Sequence, residues 1–240
     1  MSGPESSLRG WLSDLFFPTL AEGDVEKLLR RLGTRGTVAV PGLGKASGVD
    51  DQRALLLRLR AWMTERNAQY DRLSFFTGLD RDITEGALVI GAEGERRSHA
   101  VAVVAERRKG RELDIRVYAP RGVFEGPPIE APTGSPHAIG LAGDIAAALT
   151  SGDVAAFAAC FEADGELTFA SATGARRGTG EFESGFQTLS AAKPEVAGFA
   201  EEGQVTALEL RTAGAPLLLT LHRGDSSLFR YGRVYGALSQ

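Results

Sequence analysis

The chain has 240 residues, 43% of them hydrophobic and 24% charged, with a formal net charge of −4. That composition supports a folded core and excludes wholesale disorder. Without a basic block or an apolar run of ~18 residues, neither nucleic acid nor a membrane is an expected partner. The single cysteine, Cys160, excludes an intramolecular disulfide and a multi-cysteine metal site, and the opening MSGPESSLRGWLSDLFF lacks the basic-then-apolar order of a signal peptide, so a cytoplasmic location is expected.

In chain order, Leu8, Trp11, Leu12, Leu15 and Phe16 predict an amphipathic opening helix. Asp24 stands where an N-cap belongs, and Val25, Leu28, Leu29 and Leu32 place one apolar stripe on a short second helix. Val38 and Val40 alternate as a first strand, and Pro41 to Gly48 reads as a glycine-bearing loop. A third helix is predicted near residues 51–69, with Leu55, Leu59, Trp62 and Met63 on one side. Strands follow around 73–76, 87–91, 99–106 and 113–118, separated by turn residues such as Gly94, Lys109 and Gly110. Pro120 to Pro136 then holds five prolines and three glycines. Proline fixes φ and lacks an N–H, so this stretch reads as a semi-rigid linker. Beyond it come helical segments at 139–149 and 154–161, a strand at 166–170, a segment at 180–189 and strands at 205–211, 217–223 and 228–235.

The second series copies the first. Leu20-Ala-Glu-Gly-Asp-Val25 recurs as Leu149-Thr-Ser-Gly-Asp-Val154, and Arg116-Val-Tyr118 recurs as Arg233-Val-Tyr235. Asp153 repeats the N-cap; Val154, Phe157, Ala158 and Phe161 repeat the stripe; Leu167 and Phe169 repeat the strand. Two matches in the same order predict a tandem duplication. The expected domains are 1–119 and 137–240, joined by the linker 120–136. Helices followed by consecutive hairpin strands give the α+β class, with helices on one face of an antiparallel sheet.

This order, with its Gly-Asp-Val helix start, extended strand, proline or glycine loop and closing meander, resembles two SnoaL-like domains of the nuclear transport factor 2-like superfamily. The resemblance implies two conical α+β barrels with strongly bent sheets, each pocket at the wide end, and pairing through the sheets within one chain, as a monomer or weak homo-oligomer. It also implies a choice between enzymes (isomerases, cyclases, dehydratases, epoxide hydrolases) and proteins that only bind, which fold alone does not decide. In the isomerase-like members an Asp ends the first strand before a proline; here Thr37-Val-Ala-Val40-Pro41 puts Val40 there. The second copy offers Phe169-Ala170, and neither side chain accepts a proton.

Two histidines remain as candidate acid–base groups: His99 at the start of one strand and His222 at the end of another. Strand alternation puts Asp114, Arg116 and Tyr118 on one face and Leu113, Ile115 and Val117 on the other, with Tyr231, Arg233 and Tyr235 repeating the polar row. Arginine holds a carboxylate bidentately and tyrosine donates to an oxyanion. Arg116, Tyr118, Tyr231, Arg233 and Tyr235, with Trp62, are therefore the candidate ligand-binding residues. The competing reading makes those rows an outer or inter-domain face. Glu166 with Glu183 is a second carboxylate pairing to test, against a solvated-charge reading. No spacing suits a metal, and no cofactor is expected. The expectation is a non-catalytic protein that binds a hydrophobic small molecule or serves as a scaffold. The alternative is an isomerase, cyclase, dehydratase or epoxide hydrolase acting on a hydrophobic secondary metabolite.

Overall fold

The computed structural model describes residues 12–108, 112–134, 136–170 and 182–237. Leu8, Trp11, the turn residues Lys109 and Gly110, and the start of the 180–189 segment lie outside them. The first unit runs α1 (Leu12–Glu22), α2 (Val25–Leu32), β1 (Thr37–Val40), β2 (Gly44–Ser47), α3 (Val49–Glu65), β3 (Gln69–Thr77), β4 (Arg81–Ile90), β5 (Arg97–Arg107) and β6 (Leu113–Tyr118). The second runs α4 (Gly140–Ser151), α5 (Val154–Ala159), β7 (Phe161–Phe169), α6 (Phe182–Ala191), β8 (Glu195–Glu202), β9 (Val205–Arg211), β10 (Leu217–Arg223) and β11 (Phe229–Tyr235). Both aspartates cap as expected: Asp24 accepts from the Lys27 amide at 2.9 Å and Asp153 from the Ala156 amide at 3.0 Å. No helix among the described residues is long and apolar enough to cross a membrane.

The sheets are ordered β2-β1-β6-β5-β4-β3 and β7-β11-β10-β9-β8. They are not wholly antiparallel as expected: β1 pairs parallel with β6, and β7 with β11. The chain reaches the last strand of each meander beside the first, so both run the same way. The equivalence of the units extends to their irregularities. β3 bulges between Arg72 and Ser74, and β8 bulges at the matching place, between Val196 and Gly198. The same kink at the same register is hard to obtain except by duplication.

Several sequence expectations need correction. The loop 41–48 contains β2, the strand expected at 166–170 begins at Phe161, and the α5 stripe therefore stops short of that residue. β8 was not expected, and β4 begins at Arg81 rather than near Ala87. Both missed stretches are rich in polar or small residues, and each turns alternate residues, Ile83 and Ala200 among them, toward the other unit.

Each sheet has two buried faces. On one, Leu88, Val101, Val103, Ile115 and Val117 pack against Phe16, Phe17, Leu55 and Leu59 of α1 and α3. The second unit does the same with Leu208, Leu217, Leu219 and Leu221 against Ile145, Phe157 and Phe186. The opposite faces meet each other in a third core of Phe76, Ile83, Ala102, Val104 and Tyr118 against Ala200, Ala207, Leu218 and Tyr235. The linker joins this core through buried Ile129 and is tied down by the Gly42 amide donating to the Pro127 carbonyl at 2.8 Å.

Gly198 shows how tightly the Glu209 side chain packs against the neighbouring strand of its own sheet. A Cβ there would collide with the Glu209 carboxylate and come within 3.1 Å of its Cβ. Gly198→Val is expected to lower stability by about 1–3 kcal/mol, as overpacking does. A denaturant midpoint equal to that of the wild type would show that Glu209 has room to move.

Candidate functional site

The Arg-x-Tyr rows of β6 and β11 turn toward the other unit, with Arg116, Tyr118 and Tyr235 buried and Arg233 partly exposed. Each is bonded to a glutamate from the other unit, and the two glutamates are equivalent. Glu85 pairs across β4 with Ala102, which pairs with Tyr118; Glu209 pairs across β9 with Leu218, which pairs with Tyr235. Glu209 accepts from Arg116 Nε at 2.6 Å and Nη2 at 2.7 Å, from Tyr118 Oη at 2.6 Å and from Arg81 Nε at 3.2 Å. Glu85 accepts from Tyr235 Oη at 2.8 Å, Thr220 Oγ1 at 2.5 Å and Arg233 Nη1 at 3.2 Å, and lies 3.0 Å from His222 Nε2. The hydroxyl of Ser74, at the position of Gly198, also donates to Glu85. A buried charge is tolerated only when paired and hydrogen-bonded, and each carboxylate meets that condition with donors from across the interface.

The electrostatics follow from that arrangement. Burial alone would raise the Glu85 carboxyl, but His222, Arg233 and the Ser74 hydroxyl outweigh it and hold it at about 2. Glu209 is likewise lowered: burial opposes ionisation, while Arg116, Tyr118 and Arg81 prevail. Tyr118 and Tyr235 are pushed well above the usual phenol value, first by burial and then by the adjacent carboxylate. Both phenols therefore stay protonated and act as donors.

The two clusters differ in what surrounds them. Around Glu209, Arg81 and Arg116 also share Glu106, each at 2.7 Å, and the Arg116 side chain is only 6% exposed. On the other side the register places Val205 at the Arg81 position and His222 at the Glu106 position. The second cluster thus lacks the second arginine and the second carboxylate. It opens beside a cleft of about 560 Å³ between the units, lined by Leu73 and Ala100 on one side and Thr168, Tyr231, Arg233 and Tyr235 on the other.

The expected site residues therefore separate. His222, Tyr231, Arg233 and Tyr235 come together at or beside the cleft. Arg116 and Tyr118 are sealed in the opposite cluster. Trp62 is a packing residue of the first unit, its ring 4.6 Å from that of Phe124 and capped by the Arg66 guanidinium at 5.1 Å. His99 lies on the helix-facing side of β5, away from His222. Its buried Nδ1 makes no hydrogen bond, and burial followed by Arg97 lowers its pKa. Glu166 lines the cleft, whereas Glu183 belongs to α6 on the other face of β7, so these two carboxylates do not converge. Val40 is buried in the first core, and the Phe169 ring lies against Gly185 of α6. The register aligns these two as equivalent strand ends, since Ala39 pairs with Arg116 and Thr168 with Arg233. No cluster of potential metal ligands occurs among the described residues. Sequence reading missed Glu85 and Glu209 altogether; the available signal was a lone glutamate among apolar or small neighbours on a strand.

No family model and no curated protein matches the chain. Solved structures similar to it include Bal32a from a soil-derived mobile gene cassette, at 19% identity and TM-score 0.36, covering 43% of this chain and 82% of that one. Another is SalBIII, an epoxide hydrolase/cyclase-like enzyme of pyran ring formation in the polyether salinomycin. Its identity is 15% and its TM-score 0.35, over 44% of this chain and 85% of the other. A Catenulispora acidiphila protein with a ketosteroid isomerase-like fold is similar at 14% identity and TM-score 0.36, covering 49% of this chain and 86% of that one.

Proposed function

We propose that the chain is a small-molecule-binding protein of two nuclear transport factor 2-like units, without proton-transfer chemistry of its own. One observation carries this reading: the two carboxylates buried deepest between the sheets, Glu85 and Glu209, are each held ionised by several donors. A general base works best with a pKa near the operating pH, and Glu85 at about 2 is far below it. The strand ends Val40 and Phe169 add support, because neither accepts a proton. A catalytic reading would rest on His222 beside the cleft, but its Nε2 is occupied by Glu85 at 3.0 Å.

The test is a panel of steroid-like enones and hydrophobic epoxides. Thermal stabilisation by members of the panel, without turnover above buffer, is the expected result. Turnover that disappears in His222→Ala, His99→Ala or Glu85→Gln would overturn the reading.

A further inference from the structure

We propose that the cleft between the units binds a small organic monocarboxylate with an apolar body, its carboxylate held by Arg233. The inference rests on the reading of the chain as a binding protein and names the ligand class and the site.

The molecule's own symmetry supplies the first reason. Arg116 is bonded to two carboxylates, Glu209 and Glu106, through Nε and Nη2. Its equivalent Arg233 donates to one, Glu85, through Nη1 alone, and its side chain is 38% exposed. The position that carries Glu106 in the first unit carries His222 in the second. His222 Nε2 lies 3.4 Å from Arg233 Nη1 and brings no carboxylate. Arg233 therefore keeps a planar edge of N–H donors, with no other hydrogen bond among the described residues, at a cleft that contains Thr168 and Tyr235. A carboxylate matches that edge bidentately.

The walls supply the second. Large apolar side chains exposed singly need no explanation, but two of the five exposed among the described residues, Leu73 and Tyr231, line this same cleft. Leu73 is the extra residue of the β3 bulge and is 60% exposed. Its counterpart at the β8 bulge, Ala197, is fully buried. The bulge thus turns an apolar side chain toward the cleft in one unit only. A volume of about 560 Å³ is within the usual range for small-ligand sites.

Charge narrows the class further. Glu166 lines the cleft from β7, two residues along from Thr168, and Glu85 lies buried behind Arg233. These two carboxylates repel a second negative charge, which favours a monoanion over a dicarboxylate or a phosphate monoester dianion.

The experiment is calorimetric titration of the full chain, at low ionic strength, with sodium 4-phenylbutyrate, 4-phenylbutan-1-ol and 4-phenylbutylamine. The acid is expected to bind and the alcohol and amine to bind at least about 10-fold more weakly, the worth of one charge-assisted bidentate contact. Arg233→Met is expected to weaken the acid by a similar factor. Leu73→Asp, at a position exposed enough to leave folding intact, is expected to weaken it as well. Absence of acid binding, equal binding of the acid by wild type and both variants, or an alcohol or amine as tight as the acid would overturn the proposal. Arg233-independent binding leaves the reading of a binding protein standing. Turnover of the enone and epoxide panel overturns that reading without touching Arg233-dependent binding.

Discussion

Glu209→Leu is expected to destabilise the protein by about 3–5 kcal/mol, the range for removing one partner of a buried ion pair. Its carboxylate is 1% exposed and holds Arg116, Arg81 and the Tyr118 hydroxyl together. With it gone, two guanidiniums remain buried with only Glu106 and the half-exposed Asp80 to balance them. Tyr118 also loses its acceptor, and a buried unsatisfied hydroxyl costs about 1–3 kcal/mol by itself. The cost should therefore fall when the partners are removed too. The triple change Glu209→Leu, Arg116→Met, Tyr118→Phe is expected to be more stable than Glu209→Leu alone, because apolar side chains of similar volume replace the network without stranding a charge. Arg233→Met, at the equivalent position on the open side, is expected to cost less, since its side chain is 38% exposed and solvent already screens it. Denaturant unfolding of the four proteins checks the order. A Glu209→Leu loss below about 1 kcal/mol, within the range of a surface pair, would mean that the cluster is solvated.

How much of this was legible in the sequence depends on whether the cause was local. The N-caps Asp24 and Asp153, the helix stripes and the alternation of β6 and β11 are set by neighbours a few residues apart, and all could be read. So could the equivalence of Val40 and Phe169, because the duplicated motif fixes the register from Asp24 and Asp153 onward. β4 and β8 were missed at segments whose side chains pack or bond across to the other unit. Arg81-Asp-Ile-Thr-Glu85 has too little apolar character to read as a strand, since most of the partners of its polar atoms lie far along the chain, up to 150 residues away for Tyr235 and Glu85. β8 is weakened as a signal by Gly198, which is needed because Glu209 fills the space above it. The polar rows themselves were found, but their direction was not. Whether an Arg-x-Tyr row lines a pocket or clasps a glutamate is decided by a residue 93 positions further on for Arg116, and nothing in the local pattern carries that information.

Acid should release the second clasp in a defined window. Glu85 has an ordinary glutamate value of 4.5 when exposed and about 2 in the folded protein. A carboxyl whose folded value is depressed contributes stability above its unfolded value and loses it as pH falls toward the folded one. The shift corresponds to about 3 kcal/mol, fully present above pH ~5 and mostly gone near pH 2. Glu209 is depressed in the same sense, so the wild type alone does not isolate one group. The comparison with Glu85→Gln does, because Glu209 is common to both proteins and cancels. Near neutrality the variant is expected to be less stable by about 3 kcal/mol, since a neutral amide does not balance Arg233 and adds donors toward those of Thr220 and Tyr235. As pH falls from about 5 to 2.5, Glu85 takes up a proton in the wild type, and the two stability curves should converge. Unfolding measured by tryptophan fluorescence suits the purpose, because Trp62 lies in the core of the first unit and its burial is lost with the fold. A gap that stays constant down to pH 2.5 would show that Glu85 keeps the same affinity for protons folded and unfolded, and that His222 and Arg233 do no more for it than water does.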